Sequence, residues 1–317
     1  MSITLPPEVL QGCTPHLSRY NLTVCVRVCQ GWHSAFNPYL WKDVVLDYIK
    51  SRTKKSKAFQ RGVEAGALLR SITSLYLGSA PILMDNKEYD YTHILRLFKL
   101  CPQLRSLNLS DDMLSRRNPI VQDLIAAIPA TVETLDLTVC RIDYEVVERE
   151  LPGGRGDTAR IPRPQPLIPF LPRLTTLNIS KFVGVTSSSW SLMFKNCPQL
   201  ETLRLDRVHL LGASSAISLA ARQFCPRLAH CTVYCDKEKA LMSKALATFL
   251  TASVGGWERI YITAQFDYSF QFGPDCTDVL LRNGSRLKSL VLKCHITMSL
   301  ECVRKLNLML PNLVISA

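Results

Sequence analysis

Pro102-Gln103-Leu104-Arg105-Ser106-Leu107-Asn108-Leu109 decides the fold, because its spacing returns along the chain. It recurs as Pro172-Arg173-Leu174-Thr175-Thr176-Leu177-Asn178-Ile179 and as Pro198-Gln199-Leu200-Glu201-Thr202-Leu203-Arg204-Leu205. A fourth copy is Pro226-Arg227-Leu228-Ala229-His230-Cys231-Thr232-Val233. Looser copies are Ile72/Leu75/Leu77, Val132/Leu135/Leu137, Trp257/Ile260/Ile262 and Leu287/Leu290/Leu292, and a truncated one begins at Leu313. Successive copies start 32, 28, 42, 26, 28, 29, 30 and 26 residues apart. In L-x-x-L-x-L the last two apolar residues alternate as on a strand with one buried side. The first sits in the turn that enters the strand. A unit of this size buries its apolar side only against its neighbours, so the units must stack into a solenoid.

Helical stretches are expected between the strands, at Ile94–Leu100, Trp190–Lys195, Ala216–Phe224 and Ala240–Leu250. Cys101-Pro102, Cys197-Pro198 and Cys225-Pro226 stand directly before the leucine pattern. Proline ends a helix there, and cysteine packs as a small apolar residue. Residues of about 70–317 thus resemble the cysteine-containing class of leucine-rich repeats. The resemblance implies an α/β solenoid with a curved parallel sheet and outer helices. The 42-residue interval holds Leu151–Pro166, a Gly/Pro-rich insertion at 151–166.

Residues 5–41 are not a repeat. Pro6 and Pro7 suit the first turn of a helix, and Val9, Leu10, Cys13 and Leu17 follow at helical spacing. Pro15 is expected to kink this helix. A second helix is expected from Asn21 as N-cap, with Cys25, Val28, Cys29 and Trp32 on one face. Leu40 and Trp41 end a third short element after Pro38. Such a unit exposes more apolar surface than about 40 residues bury alone.

The motifs Leu5-Pro6-Pro7-Glu8-Val9-Leu10, Leu17, Asn21-Leu22, Val28-Cys29-Gln30-Gly31-Trp32 and Leu40-Trp41 resemble an F-box. With the repeats, the chain resembles the F-box/leucine-rich-repeat family. The organisation expected is an F-box at 1–47, a basic linker at 48–70 and a repeat domain at 71–317. The resemblance implies a substrate receptor of an SKP–cullin–F-box ubiquitin ligase, which works in protein degradation. It implies that Leu5, Pro6, Leu10, Leu17, Leu22, Val28, Trp32, Leu40 and Trp41 mark the unit that binds the SKP adaptor, and through it a cullin. Leu5, Pro6 and Leu10 are the expected contacts and Trp32 an expected core residue.

The residues between the repeat leucines face the other side of the sheet, expected to be concave. Its first half is small and polar, with Asn108, Asp136 and Asn178. The second half gathers Arg204, Asp206, His230, Tyr234, Arg259, Tyr261 and Lys293. Arg and Tyr dominate binding hot spots, and Arg suits phosphate and carboxylate groups. The expected substrate therefore presents an acidic or phosphorylated segment here.

Of 317 residues, 38 are Lys or Arg and 26 Asp or Glu, a net charge of +12. The charge is uneven: +6 in residues 48–70, −4 in 71–150 and +6 in 167–254. Without an RNA-recognition or helix-turn-helix pattern, nucleic acid is not the expected partner. No apolar run reaches the roughly 20 residues of a membrane span. The N-terminus lacks a signal-peptide pattern, so the expected location is cytoplasmic and/or nuclear and the cysteines are expected as thiols. The six histidines fall in no catalytic motif, so neither an enzyme nor a cofactor is expected. His230-Cys231 with Cys235, and Cys25, Cys29 and His33, are weighed as metal sites and set aside, since packing explains them better. The alternative from another class is a leucine-rich-repeat scaffold outside a ligase, binding an acidic partner.

Overall fold

The computed structural model describes residues 5–47, 69–78, 92–109, 124–137, 168–180, 187–206, 210–235, 239–264, 270–283, 285–293 and 296–316. The insertion at 151–166 and all but the last two residues of the 48–70 linker, including the run Lys50–Lys57, lie outside them.

The repeats build one parallel sheet, as the spacing predicts. Its strands are β1 (Asp43–Asp47), β2 (Ser74–Gly78), β3 (Ser106–Asn108), β4 (Thr134–Leu137), β5 (Thr176–Ser180), β6 (Thr202–Asp206), β7 (His230–Cys235), β8 (Arg259–Ala264), β10 (Ser289–Lys293) and β12 (Val314–Ser316), in that spatial order. Two short strands, β9 (Phe270–Phe272) and β11 (Ile296–Met298), pair separately and in parallel. Helices α4 (Thr92–Leu100), α5 (Ser187–Lys195), α6 (Leu210–Phe224), α7 (Lys239–Leu250), α8 (Pro274–Asn283) and α9 (Leu300–Met309) return the chain between strands. The first four contain the helical stretches expected from sequence. Each strand-to-strand step is therefore a parallel crossover, and the chain is an α/β leucine-rich-repeat solenoid.

The apolar side of every strand enters one continuous core. Leu75, Leu107, Leu135, Leu177, Leu203, Cys231, Ile260 and Leu290 occupy one register column and are all buried. The residues that open the repeats, from Ile72 and Leu104 to Leu287 and Leu313, are buried as well. A backbone ladder locks the pitch. The carbonyl of Thr73 accepts from the N–H groups of Arg105 and Ser106, that of Arg105 from Glu133 and Thr134, and the pattern continues through Glu133, Thr175, Glu201, Ala229 and Glu258. Each carbonyl thus pairs with two N–H donors of the next repeat, so these backbone groups are satisfied within the protein.

The cysteines behave as small apolar residues. Cys101, Cys197 and Cys225 are fully buried, and the Cys225 thiol donates to the Cys197 carbonyl at 3.3 Å. Burial raises the Cys101 thiol to about 11 and the Cys225 and Cys276 thiols to about 12, and it raises those of Cys197 and Cys231 further. All are neutral at physiological pH, which suits packing and opposes metal or nucleophile chemistry. Cys13, Cys25, Cys29, Cys101, Cys197, Cys225, Cys231, Cys276 and Cys302 are free thiols.

Before the solenoid stand α1 (Pro7–Cys13), a 3-10 turn (Thr14–His16), α2 (Arg19–Cys25) and α3 (Gln30–Leu40). Four local expectations are corrected. Pro15 does not kink a longer helix: α1 ends at Cys13 and the chain tightens into the 3-10 turn containing Pro15. Ser18, not Asn21, caps α2, accepting from the Asn21 N–H at 3.2 Å. Asn21 is instead the third residue of that helix. Cys25, Val28, Cys29 and Trp32 do not share one helix, because the chain turns at Val26–Val28 and Cys29 is the N-cap residue of α3. Pro38 lies inside α3 rather than before its last element.

The sheet begins inside the 1–47 segment. Val44 pairs with Leu75 and Leu46 with Leu77, while the Lys42 carbonyl accepts from Thr73 and Ser74 like every later rung. Trp41 precedes β1 by two residues as Ile72 precedes β2, and it packs on the solenoid core. Its neighbour Leu40 packs on the helical cluster of Leu10, Leu22, Ala35 and Phe36. Two consecutive side chains therefore serve two cores.

Gly256, just before Trp257, has φ 82, and a Cβ there would lie 2.5 Å from the Asn283 carbonyl oxygen. Gly256→Ala is expected to lower stability by more than about 1 kcal/mol. A urea midpoint equal to the parent's would show that this turn adapts freely.

Candidate functional site: two interaction surfaces

The first surface is the N-terminal helical unit. Its core is small: Leu10, Leu22, Ala35 and Phe36 are buried, with Leu17, Cys25, Val26, Trp32 and Leu40 packed against them. Trp32 meets the Phe36 ring edge-on at 5.5 Å between centroids. The Trp41 Nε1–H donates to Asn37 Oδ1 at 3.0 Å, anchoring the end of α3.

The nine candidate adaptor residues therefore divide. Leu10 is 4% exposed and is core, not a contact residue, because the turn of α1 carries it inward. Leu17, Leu22, Trp32 and Leu40 hold the unit together, and Trp41 joins it to the solenoid. Leu5 at 43% and Val28 at 58% remain outward, and Pro6 is exposed too. Sequence reasoning passed over Val9 at 50%, Tyr20 and Val24, which are also exposed. Their apolar character at solvent-facing helix positions was the available signal. These outward apolar side chains are numerous for so short a unit.

The second surface is the open face of the sheet, opposite the core. Pairing fixes its order. Asn108, Asp136, Asn178, Arg204, Thr232, Tyr261 and Val291 form one row across β3 to β10. Thr202, His230, Arg259 and Ser289 form a second, and Asp206, Tyr234, Thr263 and Lys293 a third. All seven residues singled out from sequence thus stand on β6, β7, β8 and β10. His230 and Arg259 are direct cross-strand neighbours. Lys293 Nζ lies 5.6 Å from the Tyr261 ring centroid, within cation–π range.

The two halves of this face differ. In the first, Asp136 Oδ2 accepts from Asn108 Nδ2 at 3.3 Å and from Asn178 Nδ2 at 3.0 Å, so one carboxylate is held between two amides. In the second, Arg204 and Arg259 are exposed and make no ion pair among the described residues. Basic residues at the rim are occupied: Arg105 pairs with Glu133, Arg227 with Glu201, and Arg286 and Lys288 with Glu258. The Lys288 hydrogen bond, aided by Arg286, holds the Glu258 carboxyl below its usual range. The rim thus neutralises itself while the guanidinium groups on the open face point to solvent.

Among the described residues no group of three His, Cys, Asp or Glu side chains is placed to hold a metal ion. None of their helices is long and apolar enough to cross a membrane. Leu10→Ala is expected to destabilise by about 2–5 kcal/mol, whereas Val28→Ala changes stability by less than about 0.5 kcal/mol. Circular dichroism melting of the two variants checks this split.

The family model described as F-box-like matches residues 3–47, and the N-terminal unit is an F-box-like domain. Among solved structures, the leucine-rich repeat-containing protein LegL7 from Legionella pneumophila is 18% identical. The match covers 80% of this chain and 85% of that one, with a TM-score of 0.46. No curated protein matches the chain.

Proposed function

We propose that the chain, an F-box-like domain joined to a leucine-rich-repeat solenoid, is the non-enzymatic substrate-recognition subunit of an SKP–cullin–F-box ubiquitin ligase. The F-box-like match at residues 3–47 carries this reading. The exposed apolar side chains of the same unit support it, because an adaptor would bury Leu5, Val9 and Val28. Burying a side chain of that size contributes about 1.5–3 kcal/mol, so a few suffice for a stable complex.

In this reading the solenoid holds the substrate on its open face. Arg204, Arg259 and Lys293 supply positive charge, and Tyr234 and Tyr261 supply flat apolar area with a polar tip. A guanidinium group donates two parallel hydrogen bonds to a carboxylate or phosphate, which fixes orientation as well as charge. The substrate presents an acidic or phosphorylated segment, and transfer of ubiquitin belongs to other subunits. Because Trp41 ties the helical unit to the sheet, the bound substrate is held at a fixed attitude to the adaptor.

Purified SKP adaptor should co-elute with the full chain under reducing conditions. Leu5→Ser with Val9→Ser and Val28→Ser should abolish co-elution while the far-ultraviolet spectrum stays unchanged. No co-elution of the parent chain would overturn the reading. For the substrate face, peptides bearing a Glu or phosphoserine block should bind the parent chain. Arg204→Ala with Arg259→Ala should weaken them at least about tenfold, as expected when charge-assisted hydrogen bonds are lost. Unchanged binding would remove the acidic-segment assignment.

A further inference from the structure

The open face changes character beyond the arginines. The outward register positions of β3 to β8 carry Ser, Thr, Asn, Asp, Arg, His and Tyr, and no aliphatic residue stands among them. On β10 and β12 two valines occupy such positions. Val291 continues the row of Arg204, Thr232 and Tyr261, and Val314 continues the row of His230, Arg259 and Ser289. Val314 is 60% exposed, and Val291 and Tyr261 are half-buried. The core draws on β10 from its other side, through Leu290 and Leu292. Strand propensity does not require valine here, because threonine suits an outward strand position equally well and fills several of them on the earlier strands. Tyr261, Val291 and Val314 thus form a shallow apolar floor at one end of the open face. It adjoins the basic residues directly: Arg259 and Tyr261 share β8, and Lys293 Nζ lies 5.6 Å from the Tyr261 ring centroid.

We infer that this floor receives an apolar side chain of the same partner segment whose anionic group docks on Arg204 and Arg259. This rests on the acidic-segment reading and adds a second, uncharged determinant and an order to it. Continuity selects the occupant. A chain anchored by charge at Arg259 has the floor one strand away on β10 and two strands away on β12. Charge alone treats all acidic stretches alike, whereas a neighbouring apolar contact separates them by the residue next to the acidic group.

The register sets the spacing. Neighbouring strands are about 4.8 Å apart, and extended chain advances about 3.4 Å per residue. Val314 lies two strands from Arg259 in the same row, about 10 Å. Val291 lies one strand across and two residues along, about 8 Å. A segment crossing the strands therefore carries its apolar residue about two to four residues from its acidic group, on one side of it.

The test uses the full chain and synthetic peptides with a fixed Glu or phosphoserine block. A single Leu is walked from one to eight residues away on either side of the block, with Ser elsewhere, and affinity is read by fluorescence anisotropy. Binding is expected to peak with Leu about two to four residues from the block on one side, about fivefold to tenfold tighter than with Ser in that place. Val291→Thr with Val314→Ser should erase that gain and leave binding of the acidic block intact, which also shows that the variant is folded. A flat Leu profile with the acidic block still bound would overturn the apolar contact and leave the acidic reading standing. A gain that persists in the double variant would overturn it too. Dimerisation of the parent chain that Val314→Ser abolishes would assign the floor to a second copy and overturn the inference. If no acidic peptide binds at all, the acidic docking reading fails and this inference fails with it.

Discussion

No repeat of this chain can bury its apolar side without the next one. Leu203 is fully buried because the Leu177 strand lies on one side and the Cys231 strand on the other. The carbonyl ladder that runs from Lys42 to Lys288 enforces the same dependence on the polar side. Stability in such a stack is a sum of neighbour contacts. The open face inherits its order from this constraint. Once the buried column is in register, Asp136, Asn178, Arg204 and Tyr261 cannot slip relative to each other without turning their strands inside out. The order of the open face is thus a by-product of core packing with side chains chosen freely on the outward positions.

The joint at Leu40-Trp41 extends that argument to the helical unit. A small helical domain on a loose tether would let a bound partner wander. Here one residue packs in the helical core and the next in the solenoid core, and the following residue starts the ladder. The N-terminal unit is spliced to the sheet within the length of a single turn. The relative attitude of the helical unit and the sheet is thereby set by packing.

Much of this was legible beforehand, for reasons that can be named. The repeat was visible because burial acts on every copy alike, so Leu104, Leu174, Leu200 and Leu228 stand in the same sequence context. The first strand was missed although Trp41-Lys42-Asp43-Val44-Val45-Leu46 carries the same spacing with other residue types. The F-box motif accounted for Leu40-Trp41, and one residue served two patterns. The fate of Leu10 was hidden for a different reason. Leu5 and Leu10 are the same type in one motif, and the start of α1 after Pro6 sets which of them turns inward. The cap of α2 was misplaced because Ser18 and Asn21 both suit that role, and the hydrogen bond to the Asn21 N–H decided it. The open face was read correctly in order because a period of two leaves no freedom once the leucines are placed. The unequal pairing of its basic residues was not readable, since the partners of Glu133, Glu201 and Glu258 come from neighbouring repeats.

The proposed function divides labour between an adaptor-binding helical unit and a substrate-binding sheet. Hydrogen–deuterium exchange of the full chain with and without purified SKP adaptor tests it most directly. The account predicts slowed exchange in residues 5–40 and unchanged exchange in the strands from β5 to β10. Protection on those strands, or none on the helical unit, would contradict it.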